Sequence, residues 1–294
     1  MIAEELPQED EIVDFIVVLK KEPLLSLFSA EDIKDNTDEV VNYREEQEEQ
    51  IRQLEKALKE AFGEEEGFRL GFTYTASMTG VSVKTRYGNQ KAIEQMENVE
   101  KVYISPSFQI ATEDVGSYTN NASTMLGATN LNETGYTGKG MKIAILDTGI
   151  VVNHPSFQAL PEDKLTEDSM TKEEVKEIWD TLNAGKSPLR NASYHNSKLP
   201  FIFNYDGMNY DVSHSTAMHD HGTHVAGIAA ANKIDSTNVV GIAPDAQLIV
   251  MQVFNQTGGA EWSTILAALE DCVKLDVDTV NLSLGAAAGF TDSD

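Results

Sequence analysis

Lys142-Ile143-Ala144-Ile145-Leu146-Asp147-Thr148-Gly149 is a continuous apolar run closed by an acid and a glycine. It lacks the alternation of a half-exposed strand, so it reads as a strand buried on both faces, the kind a parallel sheet requires. Similar runs recur downstream, separated by helical spacing. The pattern predicts a helix over 222–231, a strand over 247–253, a helix over 263–275 and a strand over 279–284. Strands alternating with helices imply an α/β fold with a doubly wound parallel sheet. Sites in such sheets lie at the carboxyl ends of strands. Asp147, Phe254-Asn255 and Ser283-Leu284-Gly285 all fall at such ends.

Upstream the rhythm differs. Residues 12–19 are a short β-branched strand, and 42–62 a helix with Ile51, Leu54, Leu58 and Phe62 at helical spacing, stopped by Gly63. Residues 68–75 and 79–85 predict a hairpin, 91–96 a short helix and 99–104 a last strand before Pro106. The order β-α-β-β-α-β is that of a ferredoxin-like α+β sandwich. The expected domains are therefore 12–108, a linker over 109–140, and 141–294 with a polar surface insertion over 158–210. Thr171-Lys172-Glu173-Glu174 opens a short helix in that insertion through a capping box.

Composition narrows the function. The net charge of -26 over 294 residues would repel a polyanion, so nucleic acid is not an expected partner. Much of the acid in Glu45-Glu46-Gln47-Glu48-Glu49 reads as a solvated helix face. The single cysteine, Cys272, excludes a disulfide framework and sits at a core position of a helix. No apolar run approaches the ~20 residues of a membrane span. The acidic start, Met1-Ile2-Ala3-Glu4-Glu5-Leu6, does not read as a signal peptide.

The chemistry concentrates in two places. Asp147 ends the apolar strand, and His221 lies in His219-Asp220-His221-Gly222-Thr223-His224-Val225-Ala226-Gly227, where a glycine turn opens into a helix. Asp-Thr-Gly alone also fits an aspartic-protease carboxylate pair, but that needs a second copy in an all-β setting. The four histidines His214, His219, His221 and His224 do not form an H-E-x-x-H zinc pattern. A buried acid and a histidine together suit a triad, in which the acid fixes the imidazole tautomer and the imidazole moves the nucleophile's proton. Asp, His, Ser is one of the chain orders that this geometry takes.

These segments resemble subtilisin-like serine proteases. Ala144 to Ile150 with His154-Pro155 is similar to the catalytic-aspartate region, and His221 to Gly227 to the catalytic-histidine region. Gly241 to Ala246 resembles the strand lead-in that follows in that family, and Val280 to Gly285 the strand bordering its substrate cleft. Residues 12–104 look like its inhibitory propeptide, and the insertion with Phe201-Ile202-Phe203-Asn204-Tyr205 resembles lactocepin-type cell-envelope proteinases.

The resemblance implies a peptidase acting on polypeptides, with Asp147 and His221 catalytic and the chain's own propeptide packed on the catalytic domain. It also implies an extracellular or wall-associated location. Gly258, Gly259 and Ala260 would pair with substrate on one side, and Ser283, Leu284 and Gly285 on the other, with Trp262 flanking a pocket.

No cofactor is expected. The calcium of many subtilisins uses an acid after His-Pro, where this chain has Ser156, and a loop replaced here by 232–238, which argues against calcium. The family's Gly-Thr-Ser-Met-Ala nucleophile and oxyanion asparagine do not occur in these 294 residues. The stretch alone is thus expected to be inactive, and the alternative is a non-catalytic binding or inhibitory module.

Overall fold

The computed structural model describes residues 7–110, 127–187, 193–213, 220–233 and 239–285. In chain order its first elements are β1 (Ile12–Leu19), α1 (Leu24–Leu27), α2 (Ala30–Lys34), α3 (Asp38–Phe62), β2 (Arg69–Tyr74), β3 (Gly80–Arg86), α4 (Gln90–Glu94) and β4 (Val99–Ile104). Then follow β5 (Ser107–Ile110), α5 (Ala128–Glu133), β6 (Lys142–Asp147), α6 (Lys172–Ile178) and β7 (Phe201–Asn204). The last are α7 (Asp220–Ala230), β8 (Gln247–Gln252), β9 (Gly259–Glu261), α8 (Trp262–Lys274), β10 (Thr279–Asn281) and β11 (Leu284–Gly285). Contacts divide the chain into two compact units, one of residues up to 106 with 261–274, the other of 107–260 with 275 onwards.

The first unit is an antiparallel sheet in the order β2-β3-β1-β4. The helix α3 lies on one face, burying Ile51, Leu54 and Leu58 against Phe15, Val17, Val81 and Val83. It begins earlier than its apolar spacing predicts because Thr37 caps it, its hydroxyl accepting from the Val40 amide at 3.4 Å. Gln47, read as part of a solvated acidic face, is wholly buried. Its Nε2 donates to the carbonyls of Glu22 and Thr75 and to the Thr79 hydroxyl.

The opposite face of the sheet is covered by α8, which explains why β1 is apolar on both sides. Tyr74 donates its hydroxyl to the Ser263 carbonyl, and the Ser263 hydroxyl donates to Asp14. Burial pushes the Asp14 carboxyl above its usual range, against the Ser263 hydrogen bond and the Lys84 charge. The strongest tie is Glu270, which is fully buried. Its carboxylate accepts from the amides of Thr75, Ala76 and Ser77 at 2.8, 2.8 and 3.1 Å, and from the Thr75 hydroxyl at 2.9 Å. Lys274 stands 3.5 Å away, so the buried charge is answered on all sides.

The second unit is built on a parallel sheet in the order β10-β6-β8-β7. Ala144, Ile145 and Leu146 are buried, as are all residues of β8. The helix α7 turns Gly222, Ala226 and Ala230 inward, a stripe of small residues that brings it close to β6.

Three expectations need correction here. Phe201–Asn204, inside the stretch read as a surface insertion, is a fully buried strand paired in register with Ile249 to Gln252. The polarity of its surroundings hid a run of only four apolar or amide residues. The strand predicted over 279–284 divides, with Thr279–Asn281 on β6 and Leu284–Gly285 in a separate sheet. The Thr/Asn/Gly-rich linker also contains a short helix, Ala128–Glu133.

Two buried polar side chains lock this unit. Gln247 accepts from the Met170 amide and donates to the carbonyls of Met170 and Ser197, tying the insertion to the start of β8. Lys198 is fully buried, its Nζ donating to the carbonyls of Pro244 and Ala246 at 2.8 and 2.6 Å. Burial pulls its pKa down to about 7.

Two outcomes follow. In Glu270→Ala, hydrogen-exchange protection of the Thr75, Ala76 and Ser77 amides should fall by about tenfold or more, since bonds to a charged acceptor are worth roughly 1.5–3 kcal/mol each. Between pH 7 and the unfolded lysine value near ~10.4, the unfolded chain holds the Lys198 proton and the folded chain does not. Stability should therefore rise with pH across that window and be lost again as pH falls towards 7. In Lys198→Met the slope of stability against pH should flatten; an unchanged slope would rule out Lys198 as its source.

Candidate active site

The candidate site starts at the carboxyl end of β6. Asp147 is 1% exposed, and its Oδ1 accepts from the Thr148 amide at 2.7 Å. Gly149 then takes φ +92, a left-handed turn where an added Cβ would lie 2.3 Å from the Val212 carbonyl oxygen. This turn sends the chain back beside α7, and the Thr148 hydroxyl accepts from the Gly222 amide at 3.1 Å. Gly222 is required by contact distance: a Cβ there would sit 2.2 Å from the Gly149 carbonyl oxygen and 3.0 Å from Asp147 Oδ1. The Thr223 hydroxyl accepts from the Val151 amide at 3.0 Å and completes the seam.

The seam presents the first turn of α7 to the end of β6. His221 Nδ1 lies 2.8 and 3.0 Å from the two oxygens of Asp147. An ionised carboxylate only accepts, so Nδ1 carries the proton and Nε2 is left as the basic nitrogen. The His221 side chain is 22% exposed, enough to meet a reactant. Its hydrogen bond to Asp147 holds the imidazolium above the usual imidazole range, with burial opposing.

The strand segments read as substrate-pairing are brought into one small sheet, ordered β11-β5-β9. Leu284 and Gly285 pair antiparallel with Ile110 and Gln109, so a segment of this same chain runs between the 259–261 and 284–285 strands. The turn before β9 is built by Asn255, whose side-chain oxygen accepts from the amides of Thr257 and Gly259 at 2.9 and 3.1 Å. Gly258 lies there with φ +85. Ser283 is half-buried and donates to Asn281 Oδ1 at 2.9 Å. Trp262 is half-buried and opens α8, in the unit of residues up to 106.

Of the other histidines, His154 caps the turn Pro155–Phe157, its Nδ1 accepting from the Ser156 amide at 3.2 Å, and His224 is exposed. His214 and His219 lie outside the described residues, as does 234–238 of the loop after α7. Among the described residues no three His, Cys, Asp or Glu side chains gather as a metal site. Ser156, after His154-Pro155, is buried and offers a hydroxyl in place of a carboxylate.

Sequence reasoning placed Asn255 at a strand end without its turn-building role, and missed Thr148 and Gln252. Gln252 is 1% exposed, and its Nε2 donates to the Phe254 carbonyl at 3.1 Å beneath the Gly149 turn. A small hydroxyl directly after a buried acid was the available signal for Thr148. For the two amides the sequence carries none.

Asp147→Asn should lower the His221 pKa, read from the imidazole C–H resonances against pH. A pKa raised on folding contributes stability below the unfolded value near ~6.5 that is lost as pH rises through the folded value. That pH-dependent increment should vanish in the variant, and an unmoved titration would separate the two side chains. Gly222→Ala should open the Asp147–His221 pair and give the same titration change without touching either residue.

A sequence profile of the Subtilase family matches residues 138–294. The PI-type proteinase of Lactococcus lactis subsp. cremoris is 31% identical over 225 residues, covering 74% of this chain and 11% of that protein. The minor extracellular protease Vpr of Bacillus subtilis is 26% identical over 249 residues, 81% of this chain and 26% of its own length. Subtilisin E of the same species is 28% identical over 204 residues, 69% of this chain and 42% of its own. The chain thus spans only about a tenth of the lactococcal proteinase. With more than half of its length matched by the family profile and an acid–histidine pair at the end of its central strand, the chain belongs to the Subtilase family.

Proposed function

We propose that this chain is the propeptide and the leading part of the catalytic domain of a serine endopeptidase. The observation that carries the reading is the buried Asp147 carboxylate 2.8 Å from His221 Nδ1. Asp147 orients the ring and stabilises the imidazolium. Nε2 takes the proton of an attacking serine hydroxyl as the acyl-enzyme forms, and delivers it to the leaving amine. Water then attacks the acyl group by the same proton route in reverse. The serine and its oxyanion donor belong, in this proposal, to residues outside the present 294, so this stretch alone does not turn over.

Substrate is proposed to enter as a strand between Gly258-Gly259-Ala260 and Ser283-Leu284-Gly285. The support is the position of Ser107–Ile110, which runs as the middle strand of that sheet and so models both substrate pairing and self-inhibition. Small residues at Gly259 and Ala260 suit the close approach of another backbone. The N-terminal sheet, ferredoxin-like in strand order, would be the inhibitory and chaperoning segment. Its completion by α8, from within the family-matched residues, supports that reading. The parallel sheet would be the first part of a doubly wound subtilisin-like domain. An extracellular site of action is proposed from the likeness to the minor extracellular protease Vpr. No helix among the described residues is long and apolar enough to cross a membrane.

A fluorophosphonate probe should leave the 294-residue chain unlabelled and label a longer chain that includes the downstream serine. In that longer chain Asp147→Asn should reduce kcat by about 10⁴, the size known for acid loss in such triads. Labelling of the short chain would refute the assignment of the nucleophile elsewhere.

A further inference from the structure

The loop joining β8 to β9 connects the Asp147 strand to the edge that substrate is proposed to meet. Gln252 stands opposite Asp147 in the parallel register, and the Val253 amide donates to the Asp147 carbonyl at 3.0 Å. Gln252 Nε2 holds the Phe254 carbonyl at 3.1 Å. The next residue, Asn255, takes up both backbone groups of Gly259. Its own amide donates to the Gly259 carbonyl at 2.8 Å, and its Oδ1 accepts from the Gly259 amide at 3.1 Å. The same Oδ1 accepts from the Thr257 amide and hydroxyl at 2.9 and 2.7 Å.

These bonds decide which way the edge strand faces. Successive residues of a strand send their N–H and C=O to opposite edges. With Gly259 turned to the loop, Ala260 faces the other edge, where β5 is the neighbouring strand. The alternation continues at Trp262, whose amide donates to the Pro106 carbonyl, just ahead of β5, at 3.0 Å. The glycines by themselves leave this phase open. Gly258 has φ +85, and neither it nor Gly259 has a side chain to pack. A slip of one residue would turn Gly259 to β5 and Ala260 away, exchanging the backbone groups on offer.

We propose that Asn255 is a positioning residue for substrate. Its side-chain oxygen fixes the register of 258–260, so that Ala260 rather than Gly259 offers its backbone to the strand in the cleft. The peptidase reading supplies the identity of that strand as substrate; the segment Ser107–Ile110 occupies the place in this chain.

Hydrogen exchange on the 294-residue chain reads the register. In Asn255→Ala the Ala260 amide, turned towards β5, and the Trp262 amide, bonded to Pro106, should each lose protection about tenfold. The Thr75 amide, held by Glu270, should keep its protection. Asn255→Asp keeps the accepting oxygen in place and should restore the wild-type pattern. Asn255→Gln keeps the amide but carries its oxygen a methylene further out, and should not. If Asn255→Ala unfolds, as loss at Thr75 would show, the Asp and Gln variants decide. In a longer chain that includes the downstream serine, Asn255→Ala should raise KM for an extended peptide about tenfold. Turnover of a single-residue ester and the rate of fluorophosphonate labelling should stay as they are. Unchanged protection of Ala260 in the alanine variant, rescue by glutamine, or equal effects on ester and peptide would each overturn the proposal. A longer chain that fails to label sinks the peptidase reading instead, and the exchange result still decides whether Asn255 sets the register against 107–110.

Discussion

A carboxylate almost fully withdrawn from water is costly unless donors surround it, and Asp147 is answered by the Thr148 amide and His221 Nδ1. The surrounding unit is arranged to make that possible. The strand must end where it does, Gly149 must turn left-handed, and Gly222 must lack a side chain so that α7 can reach within contact of β6. The small stripe Gly222, Ala226 and Ala230 and the parallel register of β6 with β8 and β10 serve the same approach. Chemistry and packing are therefore one constraint here.

The same rule of answering buried polarity operates away from the site. Glu270 gathers three backbone amides at the end of β2, and Gln47 bridges α3 to the same turn. Gln247 and Lys198 fasten the insertion to β8 through backbone groups. None of these contacts follows from hydrophobic pattern, which predicts where apolar side chains go but is silent on which polar ones accompany them inside.

Legibility follows from period and length. The helix α3 and the strands β1, β4, β6 and β8 could be read because their apolar residues repeat over six or more positions or run unbroken. The strand β7 could not, being four residues within a polar stretch, and β5 and β11 are short strands whose existence depends on a partner distant in sequence. In the site, Asp147 and His221 stand out because each sits in a distinctive local setting. Gln252 and Asn255 do not, since an amide acts through whichever backbone group the fold brings to it.

The sequence by itself determined the residue types of the acid–histidine pair, the parallel character of the second sheet and the βαββαβ order of the first. These rest on local spacing and burial on both faces, which neighbouring residues encode. Tertiary structure alone decided that His221 meets Asp147 through Nδ1 and that α8 closes the N-terminal sheet through Glu270. It also decided that Ser107–Ile110 lies between two strands more than a hundred residues downstream. Each of these is a hydrogen bond between groups far apart in the chain, and such pairings exist only once the fold has brought them within 3 Å or so of one another.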